Sequence, residues 1–305
     1  MENPVEGKGA CLIAGCGYTG TRLARRLLGT GPLLALVRGA TSAAALLGEG
    51  IPAAAMDLDR KAPPPLLDLP KDLASVVYLA PPAGVGTEDL RLARFLVALG
   101  SARPQAFVYV STTGVYGDTR GATVDEASPV APQEDRSKQR WDAERRVVGW
   151  CGERGVRSVI LRVPAIYGPH RLPLDRLRRG EPVLRDEDSG PGNRIHVDDL
   201  AAACAAALGR PVSGVFNVTD GAPESMAAFT MRVANLAGLP APRRVSWAEA
   251  QSVLSPGILS FLRESRLVTS RRSLELGWTP RYWNPEDGIR ASLVEMGWNP
   301  SSAGR

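Results

Sequence analysis

Lysine and cysteine are scarce in this chain of 305 residues. Only four of its 37 basic residues are lysines, and no run of lysine and arginine is interleaved with aromatic side chains. With a net charge of +5, we expect anionic small molecules rather than nucleic acid as partners. The cysteines have the spacing of neither a metal site nor a redox motif, so the sequence predicts no metal and a reducing compartment; they are Cys11, Cys16, Cys151 and Cys204.

Long apolar runs are absent as well. No stretch approaches the length needed to cross a bilayer, and the first six residues lack the basic and apolar character of a leader. We therefore expect a cytoplasmic protein without membrane association. A hydrophobic fraction of 44% and a charged fraction of 23% are ordinary for a globular chain, and the length favours one large domain with an appended lobe.

What the chain does contain near its start is a glycine-rich turn between a strand pattern and a helix pattern. The apolar run at 10–14 leads into Gly15-x-Gly17-x-x-Gly20, and a helical pattern follows over 21–29. Such glycines allow a tight turn, the approach of a pyrophosphate and close helix–strand packing, while N–H groups at the helix N-terminus bind the anion. The sequence predicts a dinucleotide held here by Gly15, Cys16, Gly17, Tyr18, Thr19 and Gly20.

Strand and helix patterns alternate through the first half of the chain. Strands are predicted at 10–14, 32–37, 52–56, 74–79, 106–110 and 158–162, with helices at 21–29, 41–48, 87–99 and 134–154. This alternation is typical of an α/β protein with a doubly wound parallel sheet, a Rossmann-type fold. Later elements are a strand at 214–217 and helices at 198–208, 225–237 and 285–296. We expect a dinucleotide-binding domain over 1–165 and a small C-terminal substrate lobe over 166–305, interleaved with the sheet domain.

The residue after the second predicted strand bears on the choice of coenzyme. NAD sites commonly place a carboxylate here to bind the ribose 2′-hydroxyl, but no Asp or Glu occurs between Leu33 and Gly48. Arg38 follows the strand instead, and its guanidinium suits a 2′-phosphate. The sequence therefore favours NADP, with NAD as the alternative. Asp57 and Leu58, after the third strand, are candidates for contact with the adenine.

The glycine turn and a series of later motifs resemble those of the extended short-chain dehydrogenase/reductases, also called the NAD-dependent epimerase/dehydratase family. The later motifs are Leu79-Ala-Pro-Pro82, Ser111-Thr-Thr-Gly-Val-Tyr-Gly117, Leu161-Arg-Val-Pro-Ala-Ile-Tyr-Gly-Pro169, Asn193-Arg-Ile-His-Val-Asp-Asp-Leu200 and Val215-Phe-Asn-Val218. The glycine spacing looks like that of the atypical branch. The resemblance implies nucleotide-sugar or related carbonyl and alcohol substrates, and a homodimer as often found in related proteins. It also implies coenzyme contacts at Ala80, Pro81, Thr112 and Pro164.

The catalytic set implied by the resemblance is incomplete. The family pairs a Tyr that exchanges a proton with a Lys that lowers the pKa of this Tyr and holds the nicotinamide ribose, in a Tyr-x-x-x-Lys pattern. On the helix after residue 130, Glu134 replaces the Tyr if Lys138 is the family Lys. If Arg140 stands in for the Lys instead, Arg136 replaces the Tyr. Both registers stay open, and neither supplies a phenol.

Hydroxyl groups near the fifth strand offer two further catalytic candidates. By the resemblance, Thr112 would bind the substrate oxygen, and Tyr116 is the nearby phenol that could act as the acid or shape the pocket. Without the family Tyr, two functions stay open. One is an NAD(P)-dependent oxidoreductase or epimerase acting on a small polar substrate of the nucleotide-sugar type; the other is an NADP(H)-binding or redox-sensing protein without turnover.

Candidate substrate contacts lie mainly in the second half of the chain. His170 and Arg171 follow a strand end where the family contacts its substrate, and Tyr116 and His196 are implied to edge the same pocket. Arg171 could bind a diphosphate by charge-assisted hydrogen bonds. Close by, Asp198 or Asp199 has the chemistry of a helix N-cap for the Ala-rich helix that follows.

Overall fold

The computed structural model describes residues 9–60 and 72–299 as an alternation of strands and helices. Its strands are β1 (Ala10–Ala14), β2 (Leu33–Val37), β3 (Ala53–Ala55), β4 (Leu73–Tyr78), β5 (Ala106–Thr112), β6 (Thr123–Val124), β7 (Arg157–Val163), β8 (Ala165–Tyr167), β9 (Val183–Leu184), β10 (Pro191–Gly192), β11 (Arg194–His196), β12 (Gly214–Asn217), β13 (Glu224–Ser225), β14 (Arg244–Val245) and β15 (Leu267–Val268). Its α-helices are α1 (Tyr18–Leu27), α2 (Ala40–Gly48), α3 (Leu90–Ala98), α4 (Asp135–Arg154), α5 (Leu174–Arg178), α6 (Val197–Gly209), α7 (Met226–Ala237), α8 (Trp247–Val253), α9 (Pro256–Leu262) and α10 (Pro285–Glu295).

The central sheet has seven strands in the order β12-β7-β5-β4-β1-β2-β3, and all neighbours in it are parallel. The chain runs outward from β1 to β3, then crosses to β4 and continues outward on the other side. The doubly wound parallel sheet expected from the sequence is therefore confirmed. Its switch point lies between β1 and β4, where folds of this kind open a crevice at the carboxyl ends of the strands.

Side chains of β1 alternate between the two faces of the sheet, and each face has its own helices. Cys11 and Ile13 belong to a buried cluster with side chains of α1, α2 and α6. Leu12 and Ala14 belong to a second cluster with side chains of α3 and α4. Because both faces are covered, β1 and β2 are wholly apolar, as internal parallel strands require. β7 is an exception, since its buried Arg162 is paired with Glu144 of α4.

Short strand pairs in the second half hold distant loops over these strand ends. β8 pairs with β11, β9 with β14, β10 with β13 and β6 with β15. The chain also returns once to the central sheet, where β12 pairs with β7. As a result, loops near residues 190, 224 and 264 line one cavity together with Thr112, the last residue of β5.

The predicted elements differ from the observed ones chiefly at their ends. Helix α1 begins at Tyr18, directly after the glycine turn and earlier than predicted, and β5 extends further than predicted, to Thr112. Within residues 9–60 and 72–299, no helix is both long enough and apolar enough to cross a membrane. The same residues contain no group of His, Cys, Asp and Glu side chains that could hold a metal ion.

Candidate active site

The three glycines of the turn between β1 and α1 have different surroundings. Gly15 has a φ of +86°, and a Cβ there would lie 2.3 Å from the backbone nitrogen of Ala80, so the position requires glycine. At Gly20 a Cβ would lie 2.9 Å from the carbonyl oxygen of Gly15, which shows how closely α1 packs on the turn. At Gly17 a Cβ would meet nothing within 4 Å. Position 17 thus faces open space, as a turn that admits a phosphate requires.

A first cavity, of about 260 Å³, opens beside this turn. Burial raises the pKa of the Cys16 thiol in its wall to about 11, so this side chain is a neutral part of the lining. Asp57 is not in the lining, and its carboxylate accepts a hydrogen bond from the N–H of Asp59 at 3.0 Å. Thr19 and Gly20 are buried within α1 behind the turn. The predicted coenzyme residues that do line the first cavity are Gly15, Cys16, Gly17, Arg38, Leu58, Ala80 and Pro81.

Two arginines that line the first cavity meet at Asp59. The Arg38 side chain is 66% exposed and lies 3.7 Å from the carboxylate of Asp59. Arg91 of α3 donates to both oxygens of the same carboxylate, at 2.6 and 2.7 Å, and thereby lowers the pKa of Asp59. The sequence predicted Arg38 but not Arg91, because the position of Arg91 depends on the start of α3 lying beside the end of β3 in space.

A second cavity, of about 420 Å³, lies beyond the carboxyl end of β5. The hydroxyl oxygen of Thr112 accepts the N–H of Gly114 at 3.1 Å, which leaves its hydroxyl hydrogen free for a ligand. Residues 80–82 adjoin both cavities, since Ala80 and Pro81 line the first and Pro82 lines the second. The predicted residues that line the second cavity are Thr112, Arg140, Pro164 and Arg171.

Arg140 of α4 reaches the ends of β4 and β5, close to where the two cavities adjoin. Its Nη1 donates to the hydroxyl of Tyr109 at 3.2 Å and to the carbonyl oxygen of Val110 at 3.1 Å, with a longer contact of 3.5 Å to that of Ala80. Within the described residues Arg140 forms no ion pair. A half-buried cation without an acidic partner favours an anion or hydroxyl groups beside it.

The two registers considered for the missing Tyr-x-x-x-Lys pattern differ in where their side chains lie. Arg136 and Arg140 both line the second cavity. Lys138 does not; its side chain is 40% exposed and its Nζ lies 3.3 Å from the carboxylate of Asp135. The structure thus brings the two arginines together and leaves Lys138 on the outer face of α4.

Arg136 is held at the cavity by helix α9. Its guanidinium lies 4.0 Å from the centre of the Phe261 ring, and its Nη1 donates to the hydroxyl of Ser260 at 2.8 Å. Ser260 in turn donates to Glu134 at 2.9 Å. Glu134, the other residue considered for the Tyr position, is therefore engaged with α9 rather than with the cavity.

Tyr116 is outside the lining of both cavities. Its ring is buried, its hydroxyl donates to the side-chain oxygen of Asn217 at 2.8 Å, and the Arg162 guanidinium lies 4.8 Å from the ring centre. Burial also raises the pKa of Tyr116 above its usual value, which keeps the phenol neutral. The structure does not bring this residue to the site for which the sequence proposed it.

Arg171 connects the second cavity to helix α1. Its guanidinium lies 4.0 Å from the centre of the Tyr18 ring, and the Tyr18 hydroxyl donates to the carbonyl oxygen of Pro169 at 2.8 Å. Tyr18 itself lines neither cavity. The neighbouring His170 has a φ of +61° and an exposed side chain, and its backbone N–H points to the sulfur of Met296 at 3.1 Å. Of these two predicted substrate contacts, only Arg171 reaches the second cavity.

A family model for the NAD dependent epimerase/dehydratase family matches residues 11–219. This span is more than half of the chain and contains the glycine turn, Thr112 and Arg140. The chain belongs to this family. The resemblance drawn from its motifs is thereby confirmed.

Solved structures similar to this epimerase/dehydratase family member cover nearly its full length. A functionally unknown conserved protein from Silicibacter pomeroyi is 30% identical with a TM-score of 0.79, over 94% of this chain and 99% of that one. The UDP-glucuronic acid 4-epimerase from Bacillus cereus, solved in complex with NAD, is 17% identical with a TM-score of 0.75, over 94% and 98% of the two chains. At 17% identity the likeness shows the fold alone.

Among curated relatives, the 3-diazoavenalumate denitrifying reductase from a Streptomyces species is 29% identical over 183 residues. The match covers 54% of this chain and 58% of the reductase. The chain spans less than two thirds of the length of this reductase and of the other curated relatives that follow it.

His196 of this family member is a structural residue in the observed fold. It is buried, its Nδ1 accepts the N–H of Asp198 at 3.2 Å as the N-cap of α6, and its Nε2 lies 3.1 Å from the hydroxyl of Ser292 in α10. The N-cap predicted at Asp198 or Asp199 is therefore wrong: Asp198 binds Arg22, and Asp199 accepts N–H groups of the segment before α10. Burial lowers the pKa of His196 to about 4, so the ring is neutral. It is not part of the cavity lining.

Acidic residues of the second cavity were not predicted from the sequence. Glu264 forms an ion pair with Arg266, and Glu224 lies 3.4 Å from Arg232. Both glutamates line the second cavity. They lie in short segments without a motif or a clear period, so only the pairings of β10 with β13 and of β6 with β15 reveal that they share a cavity.

Proposed function

We propose that this protein binds NADP(H) and acts as an oxidoreductase or epimerase on a small polar substrate that carries negative charge. The observation that carries the proposal is the wall of residues 80–82, which adjoins both the cavity at the glycine turn and the cavity at Thr112. A dinucleotide on the turn would extend past this wall, from the switch point toward the second cavity.

NADP is favoured over NAD by the charges around the first cavity. Asp59 is the carboxylate nearest to Arg38, and both of its oxygens already accept hydrogen bonds from Arg91. Its charge is therefore already compensated by Arg91, which weakens it as an acceptor for a ribose 2′-hydroxyl. The largely exposed Arg38 remains available for a 2′-phosphate, which a guanidinium binds through paired hydrogen bonds.

The residues of the second cavity fit a hydride-transfer site that lacks the family phenol. The bound coenzyme would supply or accept the hydride. Thr112 can donate a hydrogen bond to the reacting oxygen of the substrate, and Arg140 can bind ribose hydroxyls in place of the family Lys. Arg136 does not release its proton near neutral pH, so the proton of the reaction would be exchanged with water.

The negative charge assigned to the substrate follows from Arg136 and Arg171, which line the second cavity without forming an ion pair within the described residues. A nucleotide sugar is one class of substrate with the required charge. In support of that class, a UDP-glucose 4-epimerase from Thermotoga maritima with this fold was solved with UDP-glucose.

The coenzyme preference is tested by calorimetric titration of Arg38→Gln with NADP⁺ and NAD⁺. We expect NADP⁺ to bind about tenfold or more weakly than to the wild type, because a charge-assisted hydrogen bond is lost, and NAD⁺ to bind almost unchanged. Arg26→Gln, at an exposed position of α1, is the matched control and should alter neither. Unchanged NADP⁺ binding to Arg38→Gln would contradict the assignment of this residue.

A second candidate function, NADP(H) binding or redox sensing without turnover, is favoured by the lack of a phenol among the residues that line the second cavity. Purified protein with NADPH and a panel of carbonyl compounds and nucleotide sugars separates the two. Consumption of NADPH supports the enzyme. A rise in Tm with NADPH but no consumption supports the second candidate. If NADPH neither raises the Tm nor is consumed, both candidate functions are refuted.

A further inference from the structure

Arg91 of α3 lines the first cavity, yet protein groups already occupy most of its hydrogen-bond donors. Its Nε and Nη2 donate to the two carboxylate oxygens of Asp59 at 2.6 and 2.7 Å. Its Nη1 donates to the carbonyl oxygens of Pro81 and Pro82 at 2.9 and 3.1 Å. Four of its five N–H groups therefore have acceptors, and its side chain is only 11% exposed. Arg91 is thus poorly placed to bind a phosphate itself.

Arg38, which lines the same cavity, has the opposite environment. Its side chain is 66% exposed, and within residues 9–60 and 72–299 it donates no hydrogen bond. The carboxylate of Asp59 lies 3.7 Å from its Nη2, which is too far for a hydrogen bond. The donors of Arg38 are therefore free for a 2′-phosphate as long as Asp59 does not come closer.

Asp59 lies between the two arginines, and Arg91 holds both of its oxygens. If Arg91 were absent, Arg38 would be left to pair with this carboxylate, because the neighbouring Arg94 already donates to the carbonyl oxygen of Leu58 at 2.8 Å. The uncompensated carboxylate would occupy Arg38 and would also repel a 2′-phosphate. Both effects weaken the binding of NADP⁺, and neither acts on NAD⁺, which has no phosphate at this position.

We propose that Arg91 is a positioning residue for the choice of coenzyme: by holding Asp59, it keeps Arg38 free for the 2′-phosphate of NADP(H). This inference rests on the proposed function, since it names what determines the coenzyme preference of the same site. The contacts of Arg91 with Pro81 and Pro82 define a rival role, which is to support the wall between the two cavities. Selection acts through the charge of Asp59, whereas support of the wall does not require that charge.

Calorimetric titrations with NADP⁺ and NAD⁺ test the inference in a double-mutant cycle of Arg91→Met and Asp59→Asn. For Arg91→Met, we expect the ratio of the NAD⁺ to the NADP⁺ dissociation constant to fall about fivefold or more, since the released carboxylate pairs with Arg38 and repels the phosphate. Asp59→Asn alone should keep at least the wild-type ratio, and adding it to Arg91→Met should restore that ratio. Arg176→Met is the matched control, because Arg176 also pairs with a carboxylate, that of Glu181 at 2.8 Å, but lines neither cavity. Its ratio should equal that of the wild type.

An unchanged ratio in Arg91→Met, or a lowered ratio in Asp59→Asn alone, would overturn the inference. So would a double variant that binds NADP⁺ no better than Arg91→Met, including the case in which neither binds it, because support of the wall would then explain the loss. The two proposals fail in distinguishable ways. A wild type without preference for NADP⁺ refutes the coenzyme assignment and the inference with it. A preference that is lost in Arg38→Gln and kept in Arg91→Met refutes the role of Arg91 alone.

Discussion

Tyr18 and Arg171 are far apart in the sequence but form a stacked pair, with the guanidinium carbon 4.0 Å from the ring centre. The hydroxyl of Tyr18 also donates to the carbonyl oxygen of Pro169 at 2.8 Å. Because Tyr18 is the first residue of α1, a single side chain connects the helix of the glycine turn to an arginine of the second cavity.

Two substitutions of Tyr18 should separate the contribution of its hydroxyl group from that of its ring. Tyr18→Phe loses the hydrogen bond and should lower the free energy of unfolding by about 1 kcal/mol. Tyr18→Ala also loses the stacked ring and should lower it by about 2 kcal/mol or more. Urea unfolding of the wild type and both variants measures these values. Equal losses in the two variants would show that the stacking contributes nothing.

A carboxylate placed at Gly17 should prevent coenzyme binding without unfolding the chain. A Cβ meets nothing within 4 Å at this position, whereas an added negative charge repels a pyrophosphate. We expect Gly17→Asp to lose the rise in Tm that NADP⁺ gives the wild type. Gly149→Asp is the control, because a Cβ on that exposed glycine of α4 also meets nothing within 4 Å. A full rise in Gly17→Asp would mean that the nucleotide binds elsewhere.

Removing one member of the buried ion pair between Arg162 and Glu144 should lower the free energy of unfolding more than removing both. The two side chains lie 2.8 Å apart and are each 3% exposed. Arg162→Met leaves a buried carboxylate without its cation, so we expect the free energy of unfolding to fall by about 3–5 kcal/mol. The double variant with Glu144→Leu should recover most of this loss, as chemical denaturation would show. A double variant no more stable than Arg162→Met would disprove the explanation.

Asp220 should make stability depend on pH. Burial raises the pKa of this carboxyl from 3.8 to about 7, so between these values the folded state binds a proton that the unfolded state does not. The contribution of Asp220 to stability therefore declines as the pH rises through this window. Relative to Asp220→Asn, the wild type should lose stability from about pH 4 to pH 7 and then level off.

The measurement for Asp220 is the difference in free energy of unfolding between the two proteins across this pH range. The wild-type curve alone does not suffice, because His196, with a pKa lowered to about 4 by burial, has the opposite slope below 6.5. Asp287→Asn, at an exposed position, is the control for the substitution itself. A difference for Asp220→Asn that stays flat or grows with pH argues against a neutral buried carboxyl.

The sheet and the glycine turn could be predicted because their signals are local. The apolar run of β1 and the spacing of Gly15, Gly17 and Gly20 lie within a dozen neighbouring residues. The family motifs pointed to Thr112 but left Lys138 and Arg140 as alternatives. Local signals also have limits. From the motif that contains His196, we predicted Asp198 or Asp199 as the N-cap of α6. The imidazole of His196 caps the helix instead, and the two aspartates bind Arg22 of α1 and the backbone before α10.

Residues whose roles depend on long-range packing could not be found in this way. Lys138 and Arg140 are two positions apart on α4, so they point in different directions, and only the sheet beneath the helix decides which one reaches the cavity. Arg91 and Glu264 carry no motif. Their places are set by α3 lying beside β3 and by β15 pairing with β6, contacts that no short stretch of sequence encodes.

The two cavities draw on different lengths of chain. Every residue that lines the first lies between Ala14 and Phe95, whereas the lining of the second extends from Pro82 to Val268. Substitutions in the segment around Glu264 therefore change the lining of the second cavity and leave every residue that lines the first in place. Under the proposed function, substrate preference could in this way be altered while the residues of the coenzyme cavity stay the same.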